Sequence, residues 1–207
     1  MITVIDYGIN NLASVGNALL KIHCPFLVSG DFDTIKKSDA LILPGIGAAG
    51  YGMKSLREKG LDSVIIEQVN KGRPILGICL GMQLLFTNSE EGNVRCLSLV
   101  DGSVKRFKTK LKVPEIGWNT VRIENSEENS KNIFYKVPDD SYFYFVNSYY
   151  CDPVDQTAIA GVTDYDGEFC SVLVQDNIFG AQFHPEKSGD VGLQFLKNFC
   201  NINNLSF

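Results

Sequence analysis

RPILGICLGMQLLF runs from Arg73 to Phe86. Arg73 to Cys79 is apolar without alternation, as expected for a strand covered on both faces. Leu80 to Thr87 then reads as a helix, with no loop between. Such a turn sets its central side chain at the carboxyl edge of a sheet, and the flanking Gly77 and Gly81 admit tight backbone there. At a helix N-terminus a thiol is biased towards thiolate, and the N–H of Leu80 is placed to hold an oxyanion. The plainer reading is a buried strand cysteine between packing glycines. The stretch alone leaves both readings open.

The segments around it follow the same alternation. ITVID (2–6), PFLVS (25–29) and DALILPG (39–45) read as strands. NLASVGNALLKI (11–22) reads as a helix, apolar at 12, 15, 19 and 22, and residues 51–72 as a helix broken near Gly60. This predicts an α/β fold with a mostly parallel central sheet flanked by helices. The later part changes character. VRIE, YFYFVNSYY, TAIAGVTDY, EFCSVLVQD and NIFGAQFH are strand-like and separated by Asp, Gly and Asn turns, which adds antiparallel strands in the C-terminal half. GDVGLQFLKNFC closes the chain as a helix, and NSEENSKN (125–132) reads as a polar loop. Without a repeat or a linker, residues 1–207 read as a single domain.

With 207 residues, 44% hydrophobic content and a net charge of -5, the chain carries no basic footprint for nucleic acid. Its most basic run, Val104 to Lys112, reads as a solvated strand and loop. MITVIDYG does not read as a secretory leader, and no apolar run reaches the roughly 18 residues of a membrane span. A cytoplasmic protein is expected, with cysteines 24, 79, 96, 151, 170 and 200 reduced. No C-x-x-C pair suggests zinc, so neither metal nor cofactor is expected.

A nucleophilic cysteine works with a base, and the chain has two histidines. His23 ends a helix, a common place for a capping imidazole. His184, in GAQFHPEKSG, ends an apolar strand. Pro185 holds it extended, and Glu186 is placed to orient the ring. A structural histidine at a turn is the other reading. LILPGIGAAG (41–50) is a further strand end with Pro44, Gly45, Gly47 and Gly50, a loop able to turn its N–H groups towards a reacting carbonyl. It lacks the Lys-Ser/Thr ending of a phosphate loop.

GICLGMQLLF, LPGIGAAG, YFVNSYY and QFHPEKSG together resemble the glutaminase domain of class I glutamine amidotransferases, in order and over nearly the whole chain. VIDYGINNLASV, VPEIGWN and HPEKSG resemble the branch that feeds ammonia to a (β/α)₈-barrel cyclase in histidine biosynthesis, as a heterodimer. The resemblance implies a Cys79-His184-Glu186 triad that hydrolyses glutamine to glutamate and ammonia through a thioester. It implies an oxyanion hole from Leu80 and Gly45, Ile46 and Gly47, in a loop that often reorients in this family. Gln83, Ser148 and Tyr149 would hold the glutamine backbone ends, and Asn11, Trp118 and Lys187 would meet the cyclase. Apart from the family, these three read as a loop asparagine, a core tryptophan and a surface lysine. The sequence departs from the family at Asn10 (usually Gly), Ala49 (usually Phe), and Glu115 and Asn147 (usually His). These departures leave open a second partner, such as a synthase amidating a surface amino sugar.

Overall fold

A computed structural model describes residues 1–8, 11–124 and 132–204. The elements are β1 (Ile2–Ile5), α1 (Leu12–Lys21), β2 (Phe26–Ser29), α2 (Phe32–Lys37), β3 (Ala40–Gly45), α3 (Ala49–Glu58), α4 (Leu61–Asn70), β4 (Ile75–Cys79) and α5 (Leu80–Leu84). They continue with β5 (Phe86–Ser89), β6 (Val94–Arg95), β7 (Val100–Arg106), β8 (Glu115–Ile123), β9 (Ser141–Asn147) and β10 (Tyr149–Pro153). The last are β11 (Ile159–Asp164), β12 (Glu168–Gln175), β13 (Ile178–Ala181) and α6 (Gly189–Ile202).

The sheet runs β2-β1-β3-β4-β13-β12-β10-β7-β5-β6, and β11, β8 and β9 branch from β12. The first five strands of that order are parallel; β12, β10 and β7 continue it antiparallel. β1, β3, β4 and β13 are buried along their whole length, which explains why they read as unbroken apolar runs. On one face, Val4, Ile42, Leu76 and Ile78 pack with Val15 and Leu19 of α1 and Phe195 and Phe199 of α6. On the other, Ile5, Leu41, Leu43 and Ile75 pack with Ile35 of α2, Met53 and Leu56 of α3, and Ile65 and Val69 of α4. This is the α/β fold expected, with the antiparallel strands in the second half.

Three local expectations change. The helix after Cys79 stops at Leu84, and Phe86 opens strand β5 instead of continuing the helix to Thr87. The carbonyls of Leu84, Leu85 and Phe86 accept from the N–H groups of Leu97, Leu99 and Ser98, each at 2.9 Å. Tertiary backbone pairing has replaced the bonds a longer helix would need. YFYFVNSYY is two strands divided at Ser148, β9 on β8 and β10 between β7 and β12. Helix α2 is an addition. It is too short to show a period, but Asp31 caps it by accepting from Thr34 N–H at 2.8 Å. Asn10 and residues 125–131 of the polar stretch lie outside the described residues.

Candidate active site

Cys79 ends β4 in the left-handed region, φ 53, and leads straight into α5. A side chain held there is strained and persists only where its surroundings force it. Two glycines show the force. A Cβ on Gly81 would lie 1.7 Å from the carbonyl oxygen of Leu43, and one on Gly77 would lie 2.6 Å from Met82 N. The elbow folds back on its own strand and on β3 at distances only glycine permits. β3 pairs Gly45 opposite Cys79, so the 45–47 loop leaves the sheet beside the thiol. Gly47 has φ +90.

β13 lies on the other side of β4, with Ala181 opposite Ile78. The chain then passes through Gln182 and Phe183 to His184. His184 is extended as Pro185 requires, φ -99 and ψ 94, and fully buried. Its N–H donates to Tyr144 O at 2.9 Å, Ser188 Oγ donates to His184 O at 2.7 Å, and Tyr144 N donates to Ser188 Oγ at 3.0 Å. Phe183 fixes the strand end from within, stacked on Phe143 at 4.0 Å and edge-on to Phe145 and Phe195.

His184 Nδ1 and Glu186 Oε1 are 2.7 Å apart, with both side chains inaccessible. Asn11 Nδ2 donates to the same Oε1 at 2.6 Å. His184 Nε2 is buried without a hydrogen-bond partner, and Cys79 is among the groups that favour the ring's charged form. Burial disfavours the imidazolium; Cys79 and Glu186 outweigh burial and raise the ring to about 10. At Glu186 burial raises the carboxyl, and His184 and Asn11 more than reverse it, so it is lowered.

The thiol opens on a cavity of about 440 Å³ lined by Ile46, Gly47, Leu80, Gln83, Glu91, Pro114, Val146, Asn147, Ser148 and Tyr149 among others. The expected oxyanion and substrate residues thus meet here, apart from Gly45, which sits at the strand end behind them. Gln83 donates to Tyr149 O at 3.1 Å and to Gln182 Oε1 at 3.0 Å. Its two N–H groups are therefore used, and its carbonyl oxygen is what remains to offer a ligand. A larger cleft, about 620 Å³, lies between Arg122, Asp152 and Glu168. Arg122 there already pairs with Glu124 and Glu168, and burial raises the thiols in its wall, Cys170 to about 12. Charge and thiol chemistry both favour the smaller cavity.

Two residues of this site were not foreseen. Gln182, fully buried, directs Nε2 at Cys79 Sγ from 3.8 Å. Glu91 lines the cavity while its Oε2 accepts from Ala49 N–H, the first residue of α3, at 2.7 Å. Trp118, read alternatively as core, is 56% exposed and meets Tyr144 edge-on at 6.0 Å. Lys187 Nζ lies 5.9 Å from the same Tyr144 ring. Glu115 and Asn147 are both buried. His23 is exposed, just past α1, its N–H closing on Leu20 O at 3.0 Å. Among the described residues no cluster of His, Cys, Asp and Glu is arranged to hold a metal, and no helix is long and apolar enough to cross a membrane.

The family model for class-I glutamine amidotransferases matches residues 3–202, and the chain belongs to that family. Two relatives carry the name imidazole glycerol phosphate synthase subunit HisH. The one from Dehalococcoides mccartyi is 43% identical over 203 residues, covering 98% of this chain and 97% of its own. The one from Chlorobaculum tepidum is 44% identical over 205 residues, covering 98% and 100%. Among solved structures, one described as a glutamine amidotransferase superposes with a TM-score of 0.78 at 15% identity, covering 99% of this chain and all of that one. At that identity the likeness concerns the fold.

Proposed function

We propose that the chain, as one domain, is the cytoplasmic glutaminase subunit of an imidazole glycerol phosphate synthase. Cys79 Sγ attacks the side-chain amide carbon of glutamine, and His184 Nε2 takes the thiol proton. Glu186, held by Asn11, keeps the ring's Nδ1 occupied and so aims Nε2 at sulfur. The tetrahedral oxyanion is stabilised by Leu80 N–H and by the 45–47 loop. His184 then protonates the departing nitrogen, ammonia leaves, and water cleaves the thioester. Glu91 and the carbonyl oxygen of Gln83 suit the α-ammonium of glutamine, with Ser148 and Tyr149 beside its backbone.

The observation that carries this reading is a pair of adjacent parallel strands, β4 ending at Cys79 on the cavity and β13 leading, three residues on, to the buried His184 on Glu186. The shared name of the full-length relatives favours histidine biosynthesis over another ammonia-consuming synthase. Ammonia then passes to a cyclase partner with a (β/α)₈ barrel. A docking face for it is supported by Ile116, Trp118 and Tyr142, all more than half exposed on the outer face of β8 and β9 beside Lys187. Asn11 holds Glu186, and the neighbouring Lys187 reaches the Tyr144 ring on that face. The test is alkylation by a glutamine-like electrophile. Labelling confined to Cys79 and slowed by glutamine is expected, and uniform labelling of the six cysteines would overturn the assignment. Co-purification with a histidine-pathway cyclase checks the partner.

A further inference from the structure

Glu115 and Asn147 face each other across the β8–β9 pair, at 3% and 5% exposure. Their known bonds are one-sided. Glu115 Oε1 accepts from Asn119 Nδ2 at 2.8 Å, and Asn147 Nδ2 donates to Tyr149 O at 3.1 Å. The remaining oxygens, Glu115 Oε2 and Asn147 Oδ1, are both buried and lack a partner. Two acceptors cannot bond one another, and leaving both buried and unpaired is costly. One proton on Glu115 satisfies both at once. We propose that Glu115 is a neutral acid in the working protein, donating from Oε2 to Asn147 Oδ1, and that this pair positions the cavity wall for glutamine.

Burial favours the neutral form, and the bond from Asn119 does not reverse it; the carboxyl is raised. Titratable and charged side chains on the neighbouring elements include Tyr142 and Tyr144 on β9, Arg122 on β8, Asp164 at the end of β11 with Tyr165 just beyond it, and Cys79 and Glu91, which line the same cavity as Asn147. Burial and the Asn119 bond are what set the direction at Glu115. The functional link runs through Tyr149. Its carbonyl takes the Asn147 amide on one side and Gln83 on the other, and Gln83 leads to Gln182 and on to Cys79 Sγ. Asn147 also lines the cavity itself, next to Val146, whose carbonyl lies 4.0 Å from Cys79 Sγ. With its Oδ1 pinned, the Asn147 amide presents N–H to Tyr149 and cannot flip. Glu115 is a positioning residue in this account, since it reaches substrate only through Asn147 and the wall.

This rests on the glutamine-site reading, so the test begins with the wild-type chain in complex with its cyclase partner. Absence of glutamine hydrolysis there would overturn that reading and not test the pair alone. Given activity, KM for glutamine is expected to rise roughly fivefold, the worth of one neutral buried hydrogen bond, as pH climbs through the raised Glu115 titration, with kcat changing less. Glu115→Gln keeps an N–H for Asn147 and an oxygen for Asn119, so it should hold KM near the wild-type low-pH value and remove the pH step. An unchanged KM–pH profile in E115Q would overturn the proposal. The carboxyl ¹³C shift of Glu115 gives an answer without any variant. It should titrate above the ordinary glutamate range, and titration at or below that range would equally overturn it.

Discussion

The two strand ends that make the site are fixed by different forces. At Cys79 the backbone decides. The elbow holds a strained φ of 53, and Gly77 and Gly81 occupy places where a Cβ would meet main-chain atoms. At His184 side chains decide. The residue has ordinary extended geometry and is held by Ser188, Glu186 and, through Glu186, Asn11. Steric placement is all or none, whereas placement by hydrogen bonds is graded. Substitutions at the first end should therefore abolish function or folding, and those at the second should erode it.

The largest effect tests the chemistry on which the contrast depends. Cys79→Ala should lower glutaminase turnover by at least about 10³-fold while ammonia-supported synthesis by the complex continues. Retained hydrolysis of glutamine would remove Cys79 from the mechanism. Gly81→Ala comes next. Placing Cβ against the Leu43 carbonyl should cost about 3 kcal/mol or more, read as a lower denaturant midpoint or loss of soluble protein. If it folds with wild-type stability, the elbow is not sterically closed and the comparison fails.

The hydrogen-bonded end should show its dependence on pH. His184 binds its proton more tightly folded than unfolded. Its contribution is complete below the ordinary imidazole pKa of about 6.5 and is lost as pH rises through about 10. Glu186 binds its proton less tightly when folded. Its contribution is complete above the ordinary glutamate pKa of about 4.3 and is lost as pH falls through its lowered value. The melting-temperature difference between wild type and Glu186→Gln should be greatest between those limits and shrink on either side. A difference constant across pH would mean the pair is held by packing instead. The smallest effect is expected from Asn11→Ala. Glu186 keeps His184 but loses one donor, so kcat should fall by roughly three- to tenfold with little change in stability.

The same contrast decides what could be read from the chain. The elbow was legible because its cause is local: an apolar run, a cysteine and glycines two residues to either side. His184 and Glu186 were legible because Pro185 between them sets the turn. Gln182, Glu91 and the bond of Asn11 to Glu186 were not, since these bonds join residues 103, 42 and 175 positions apart. Nothing in the local pattern near Asn11 points to Glu186. Strand β5 was hidden for a related reason. LLF is as apolar in a helix as in a strand, and only the returning chain at Leu97 to Leu99 settles which backbone bonds form. Glu115 and Asn147 were visible as departures, but not as a facing pair, because register across β8 and β9 is a property of the folded sheet.

Phe183 carries a last consequence. It precedes His184 in the chain and sits among Phe143, Phe145 and Phe195, rings supplied by β9 and α6. The His184 ring is thus mounted on a clamp whose jaws come from β9 and α6. Trimming one ring, as in Phe195→Leu, loosens the mount without touching any reacting atom. The aim of an imidazole is here a mechanical property of the core, and anyone redesigning the closing helix for solubility or stability would be shifting where His184 points.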